Sequence, residues 1–289
     1  MTNVPNITGP REPTDFLVFT DLDGTLLDHH TYDFAHALSA ISLLNKRSIP
    51  WVLNTSKTLA ELVDLRISLN NHHPTIVENG GGIAIPPDYP LGDATCDGLS
   101  HGFQLKTIGA DRTGILDTLS ELHHNFVFTG FNDMSVAELV NVTGLSSVQA
   151  EQAMERKFSE PILWQDTQQK LDEFTELLAT RSLRLLRGGR FTHVIGNCDK
   201  GMAMEWLLSR YREIKPKIKT IALGDGENDI AMLKQADIPV IVRSPVNEPP
   251  LLPASYKAII TDQFGPKGWN AALLALLNPT ASPSDPAVH

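Results

Sequence analysis

Phe16-Leu17-Val18-Phe19-Thr20-Asp21-Leu22-Asp23-Gly24-Thr25 is the segment whose reading decides the fold. An uncharged run stops abruptly at two aspartates and a glycine. A run without polar alternation suits a strand buried on both faces, and such strands belong to parallel sheets covered by helices. In open parallel sheets ligands sit beyond the carboxyl ends of the strands, so the two acids stand where a site is expected. Residues two apart in an extended backbone point the same way, which puts Asp21 and Asp23 on one side. Gly24 permits the sharp turn that follows.

Outward from this segment, strand and helix patterns alternate. Phe34, Leu38, Ile41 and Leu44 recur at helical spacing, Pro50 to Leu53 reads as a second strand, and Leu59, Leu62, Val63 and Arg66 mark another helix. Thr75 to Val77 reads as a third strand. After residue 199 the same alternation resumes, with a helix from Lys200 to Arg212, a strand from Thr220 to Leu223, a helix from Asp229 to Ala236 and a strand from Ile238 to Val242. Strand alternating with helix implies right-handed crossovers and an α/β, doubly wound, Rossmann-like parallel sheet. The stretch between is made of shorter, mixed elements: helices near 115–123, 135–140, 146–158 and 167–179, and strands near 126–129, 162–164 and 183–186. The predicted organisation is a core over residues 1–86 and 194–289, with an α+β cap inserted over 87–193. The tail from Asn278, rich in Pro, Ser and Ala, is expected to be disordered.

Bulk properties bound the function. The chain has 289 residues and a formal net charge of −10, with no run of lysines or arginines. That balance argues against nucleic acid or an anionic membrane surface as partner. No stretch approaches the roughly 20 apolar residues needed to span a bilayer, and the proline-bearing polar N-terminus lacks the features of an export signal. A cytoplasmic protein is expected, with Cys96 and Cys198 as free thiols. The pairs His29-His30, His72-His73 and His123-His124 lack a common face and a third ligand, and read as exposed loop residues.

A second acidic segment, Gly224-Asp225-Gly226-Glu227-Asn228-Asp229, again lies at the end of an apolar strand. Hard oxygen donors suit magnesium, which prefers one or two carboxylates and keeps several waters. Asp225 is the natural ligand, with Asp229 as a further ligand, an orienting group or a helix N-cap. Thr55-Ser56-Lys57 at the end of the second strand offers hydroxyls and an ammonium for phosphate oxygens, and Lys200 opens a helix with a second ammonium.

These segments, in this order, resemble the four motifs of the haloacid-dehalogenase superfamily: Asp21 to Thr25, Thr55 with Ser56 adjacent, Lys200, and Gly224 to Asp229. The resemblance implies a hydrolase core, with Asp21 as nucleophile, Asp23 as general acid and base, Thr55 and Lys200 as further catalytic residues, and Mg2+ bound by Asp21, Asp23, Asp225 and Asp229. An acid at position 23 separates phosphate-ester cleavage from the ion-pumping relatives. Phe19 to Asp28 with Tyr32-Asp33, then Thr55 to Thr58, Glu78-Asn79-Gly80, Gly189-Arg190-Phe191 with His193, and Gly265 to Trp269 together look like mannosyl-3-phosphoglycerate phosphatases. That narrower resemblance runs from about Phe16 to Trp269 and is weaker between Pro86 and Glu160. It implies a phosphorylated glycosyl-glycerate as substrate, mannosylglycerate, a compatible solute, as product, and Ser56, Lys57, Glu78, Asn79, Arg190 and His193 as substrate-binding candidates. A glucosyl-3-phosphoglycerate or other sugar-phosphate phosphatase stays open, and less strongly a phosphomutase or a non-catalytic sugar-phosphate-binding module. The chain is expected to act as a monomer or homodimer.

Overall fold

The structure, a computed structural model, describes residues 16–91, 95–187 and 191–278. Strand β1 (Phe16–Thr20) is buried along its whole length. Its alternate residues feed two different cores. Phe16 and Val18 pack with Leu53, Ile221 and Val240 on one face, whereas Leu17 and Phe19 pack with Val52, Ala222 and Ile241 on the other. A strand with apolar neighbours on both sides has no wet face, which is why its sequence shows no alternation.

The chain continues through α1 (Leu38–Lys46), β2 (Trp51–Asn54), α2 (Leu59–Ser68) and β3 (Thr75–Val77). Thr58 starts α2 by accepting from Glu61 N while the Glu61 carboxylate accepts from Thr58 N, a reciprocal cap that fixes where the strand-end loop stops. Then follow β4 (Gly82–Ile85), β5 (Gly98–Ser100) and β6 (Phe103–Thr107). These three pair antiparallel beyond β3. The larger sheet is therefore mixed, a departure from the parallel sheet expected. The cause lies at 78–81, where a single tight turn joins β3 to β4 and leaves no room for the crossover a parallel neighbour needs.

A second set of elements comprises α3 (Arg112–Leu122), β7 (Phe128–Gly130), α4 (Val136–Thr143), α5 (Ser147–Met154), β8 (Ser159–Trp164), α6 (Gln168–Thr180), β9 (Leu183–Arg187) and β10 (Thr192–Gly196). Its four strands form a separate antiparallel sheet in the order β7-β8-β10-β9. Ile115, Leu119, Phe174 and Leu178 from α3 and α6 cover that sheet, and Leu139, Ala150 and Ala153 of α4 and α5 close a smaller core with Phe131.

The larger sheet is completed by α7 (Lys200–Ile214), β11 (Lys219–Gly224), α8 (Ile230–Gln235), β12 (Ile238–Arg243), β13 (Ile259–Phe264) and α9 (Gly265–Leu277). Its order is β13-β12-β11-β1-β2-β3-β4-β6-β5, parallel from β13 to β3. Helices α1, α2 and α9 cover one face and α7 and α8 the other. Trp269 on α9 is fully buried and donates its indole N–H to Thr20 Oγ1 at 2.9 Å, tying α9 to the end of β1.

The change of sheet does not fall at the expected boundaries of 86/87 and 193/194. Residues 98–107 pair in the larger sheet, and 192–196 pair in the smaller one. The tail from residue 279 lies outside the described residues. No helix among the described residues is long and apolar enough to cross a membrane.

Candidate active site

The carboxyl ends of β1, β2, β11 and β12 meet on one side of the larger sheet, at an open cleft of about 590 Å³. Asp21, Asp23, Ser56, Asn79, Asp225 and Asn228 line its floor, and Leu186, Arg187 and His193 of β9 and β10 face it from the smaller sheet. An apolar surface groove between β13 and α9 holds no titratable cluster.

Asp21 is nearly buried and lies beside Lys200, whose Nζ reaches Asp21 Oδ1 at 2.6 Å and Asp229 Oδ1 at 2.7 Å. The lysine pins one oxygen of Asp21; Asp21 Oδ2 has no partner among the described residues. Two local features set Lys200 in place. Asp199 caps α7 by accepting from Met202 N at 2.8 Å, and Asn54 Nδ2 donates to Lys200 O at 3.0 Å. Gly80, at φ +89°, brings its backbone against Asp199 so closely that a Cβ would collide with the Asp199 carbonyl. Only glycine tolerates both the conformation and the contact.

Asp225 and Asp229 follow β11 as expected. Asp225 Oδ1 accepts from Thr25 Oγ1 at 3.1 Å and Oδ2 from Asn247 Nδ2 at 3.0 Å. Asp229 Oδ2 accepts from the backbone of Asp225 and Gly226 at 3.0 and 3.1 Å, folding the 224–229 loop around its own carboxylate. Gly24, at φ +82°, lets the turn after β1 approach Asp225, since a Cβ there would stand 2.7 Å from Asp225 Oδ2.

Asp21, Asp225 and Asp229 form a buried cluster whose candidate ligand atoms all lie within 4.8 Å of one another. Burial, the largest influence, pushes all three carboxyls up, Asp21 to about 7, with Lys200 pulling Asp21 and Asp229 back down. Burial also works against the Lys200 ammonium, but the Asp21 and Asp229 carboxylates outweigh it and hold Lys200 above the usual lysine range. Three buried carboxylates against one ammonium leave a net negative site of hard oxygens. A small divalent cation such as magnesium fits that donor set.

Other sequence candidates fall elsewhere. The Asp23 carboxylate does not join the cluster; Oδ2 lies 3.0 Å from Lys57 Nζ, and Oδ1 is buried without a hydrogen-bond partner. Asp23 was expected among the metal ligands, but its side chain turns to the neighbouring cation. Lys57, expected at the substrate, is held between Asp23 and Glu61, at 3.0 and 4.0 Å. Although burial opposes its charge, those two acids raise its pKa. Thr55 is fully buried with Oγ1 accepting from Lys57 N at 3.2 Å, while its neighbour Ser56 lines the cleft.

Glu78 was expected near the sugar and is not among the residues lining the cleft. Its carboxylate accepts from Lys157 N at 2.8 Å, Phe158 N at 3.1 Å and Ser159 Oγ at 2.6 Å, with Arg156 Nε 3.6 Å away. A carboxylate so occupied and only 1% exposed holds the segment before β8 against the turn after β3. Asn79, at φ +58°, does line the cleft and accepts from Asn228 Nδ2 at 3.1 Å. His193 lines it too, with a buried Nδ1 that has no partner among the described residues. Arg190 lies outside the described residues.

Three contributors escaped the sequence reading. Asn247 follows β12, and the rule that ligands sit at strand ends, applied to that strand as it was to β1 and β11, points to it. Arg187 closes β9 two residues before the quoted Gly-Arg-Phe segment. Arg156 donates to Ser56 O at 2.8 Å, an anchor visible only once the two sheets are assembled.

Residues 18–248 match the family model described as haloacid dehalogenase-like hydrolase. The chain is 35% identical over 270 residues to a glucosyl-3-phosphoglycerate/mannosyl-3-phosphoglycerate phosphatase of Persephonella marina, covering 91% of this chain and 97% of that protein. It is 36% identical over 265 residues to a protein of the same name from Methanococcoides burtonii, covering 90% and 97%. Among solved structures, it is similar to a phosphatase of the haloalkanoate enzyme superfamily from Bacteroides thetaiotaomicron, with a TM-score of 0.64 at 15% identity, covering 95% of this chain and 99% of that one. A subclass IIB sugar phosphatase superposes with a TM-score of 0.61 at 17% identity over 90% and 98% of the two chains. At those identities the structural likeness concerns the fold.

Proposed function

The chain belongs to the haloacid dehalogenase-like hydrolase family, and from that premise we propose that it is a magnesium-dependent phosphatase hydrolysing mannosyl-3-phosphoglycerate to mannosylglycerate and inorganic phosphate. Glucosyl-3-phosphoglycerate is the second substrate of this reading, because both curated relatives carry both sugars in their names.

The observation that carries the reading is the state of Asp21. One oxygen is fixed by a buried ammonium, and the other is without a partner among the described residues at the floor of the cleft. In the proposed reaction Asp21 Oδ2 attacks the phosphorus of the 3-phosphate. The bond from phosphorus to the glycerate oxygen breaks as the Asp23 carboxylic acid gives its proton to that oxygen, leaving an aspartyl-phosphate. Asp23, now a carboxylate, takes a proton from the water that attacks the same phosphorus. Inorganic phosphate leaves, and Asp21 and the protonated Asp23 are restored. Asp23 suits this role because its carboxylate stands outside the buried cluster and at the cleft.

Lys200 neutralises the Asp21 oxygen that does not attack, and Ser56 and Asn79 offer polar groups to the phosphate and its ester. Asp21 and Asp225 would hold magnesium, which supplies the positive charge that lets an anion approach an anionic ester. Asp229 is already engaged by Lys200 and two backbone amides, so it orients the other groups. The smaller sheet with its helices acts as a cap that carries the sugar-facing residues. Cys96 and Cys198 stand outside any disulfide among the described residues, which supports action in a reducing, cytoplasmic compartment.

The test is phosphate release from mannosyl- and glucosyl-3-phosphoglycerate beside simple sugar phosphates, with magnesium and then with a chelator. Hydrolysis of the glycosyl-phosphoglycerates that disappears on chelation is the expected result. Turnover indifferent to the chelator, or a preference for simple sugar phosphates, contradicts the reading.

A further inference from the structure

The lysines beside the acids of the cleft are already engaged. Lys200 bridges Asp21 and Asp229, and Lys57 is paired with Asp23. The rim adds negative charge through Glu227 and Glu248. Any group of negative charge beyond the phosphate is therefore repelled over most of this surface. Among the described residues lining the cleft, one carries an uncommitted positive charge: Arg187, exposed at the end of β9, whose side chain makes no ion pair or hydrogen bond among the described residues.

Its surroundings are built for polar recognition. Leu186 and His193 are cross-strand partners on β9 and β10, so they reach the cleft together, and Arg187 follows at the strand end. His193 Nδ1 is closed to water and has no hydrogen-bond partner among the described residues. Burial first, and then the Arg156 charge, push its pKa down to about 3, so the ring is neutral near pH 7 and offers a hydrogen bond without adding charge.

We propose that Arg187 is the specificity residue that reads the substrate's carboxylate, its guanidinium gripping both oxygens while the phosphate of the same molecule lies at Asp21. This rests on the phosphoglycerate reading above. Carboxylate and phosphate are both borne by the short glycerate chain, so both fall in the cleft that Asp21 and Arg187 share. A planar guanidinium matches a carboxylate bidentately. Because the cleft is otherwise acidic, loss of Arg187 removes an attraction and leaves the repulsion behind, which makes the effect selective for carboxylated substrates.

The experiment compares kcat/KM for mannosyl-3-phosphoglycerate with that for the analogue whose carboxylate is reduced to an alcohol, in the full chain and in Arg187→Gln and Arg187→Lys. The preference of the parent for the carboxylated substrate is expected to fall about 10- to 100-fold in Arg187→Gln, mostly through KM, as for loss of a charge-assisted hydrogen bond. Arg187→Lys should recover part of it, since the charge returns without the fork. A preference unchanged in Arg187→Gln overturns the assignment of Arg187 and leaves the phosphoglycerate reading standing. A parent enzyme with no preference for the carboxylate overturns both.

Discussion

Replacing Glu78 by glutamine separates a structural clasp from a sugar contact. Glutamine keeps the shape but turns one acceptor oxygen into a donor, facing either Lys157 N or the pair formed by Phe158 N and Ser159 Oγ. At least one buried donor then loses its partner, at about 1–3 kcal/mol. Arg156, only 8% exposed, also loses the carboxylate 3.6 Å from its Nε. Its remaining partners are Ser159 Oγ and the carbonyls of Ala153 and Ser56. Removing one member of a buried ion pair costs about 3–5 kcal/mol, so a total loss in that range is expected. Such a loss is a large share of the 5–15 kcal/mol typical of a domain. Urea unfolding followed by tryptophan fluorescence measures it, and steady-state rates on the folded protein give KM. The expected outcome is a clearly lowered midpoint with KM changed less than about threefold. A midpoint within about 0.5 kcal/mol of the parent, as for an ordinary surface change, together with a tenfold rise in KM, would refute the clasp and return Glu78 to the substrate.

Asp21→Asn should reduce turnover by at least about 10³-fold, because an amide does not attack phosphorus, while the unfolding transition persists; substantial residual activity counts against the nucleophile. Gly24→Ala places a Cβ 2.7 Å from Asp225 Oδ2 at a backbone angle of +82°, so weaker magnesium binding by titration calorimetry and a stability loss of about 1–2 kcal/mol are expected; parental values for both would mean the turn has room to spare. His193 and His73 both have lowered pKa values, to about 3 and about 4, from burial first and then neighbouring charge. The unfolded chain takes up their protons first, so stability is present above pH 6.5 and is lost as pH falls. Each removes up to about 2 kcal/mol between pH 6.5 and 5; His193→Gln should flatten that slope, and an unchanged slope would show the ring to be solvated.

Much of the larger sheet was legible because burial on both faces leaves a plain signature, an apolar run ending in acids. β1 and β11 carry it, and their ends supplied Asp21 and Asp225 in the right place. The strands missed were those without it. β10 mixes Thr192 and His193 with apolar residues, and β5 is largely exposed. β4 was not read as a strand and β6 was folded into the expected insert, because their antiparallel pairing follows from a four-residue turn, which periodicity does not register. Within the site, residue types at strand ends were readable but their partners were not. That Lys57 faces Asp23 depends on β1 and β2 lying side by side, and that Glu78 faces the 156–159 segment depends on how the two sheets meet.

The most direct test of the central claim is to trap the covalent intermediate. Turnover of labelled mannosyl-3-phosphoglycerate is quenched in acid, the acyl-phosphate is reduced with borohydride, and the modified residue is located by peptide mass. The account expects reduction of Asp21 to homoserine, dependent on substrate. Phosphate release at a normal rate with Asp21 never modified would contradict it.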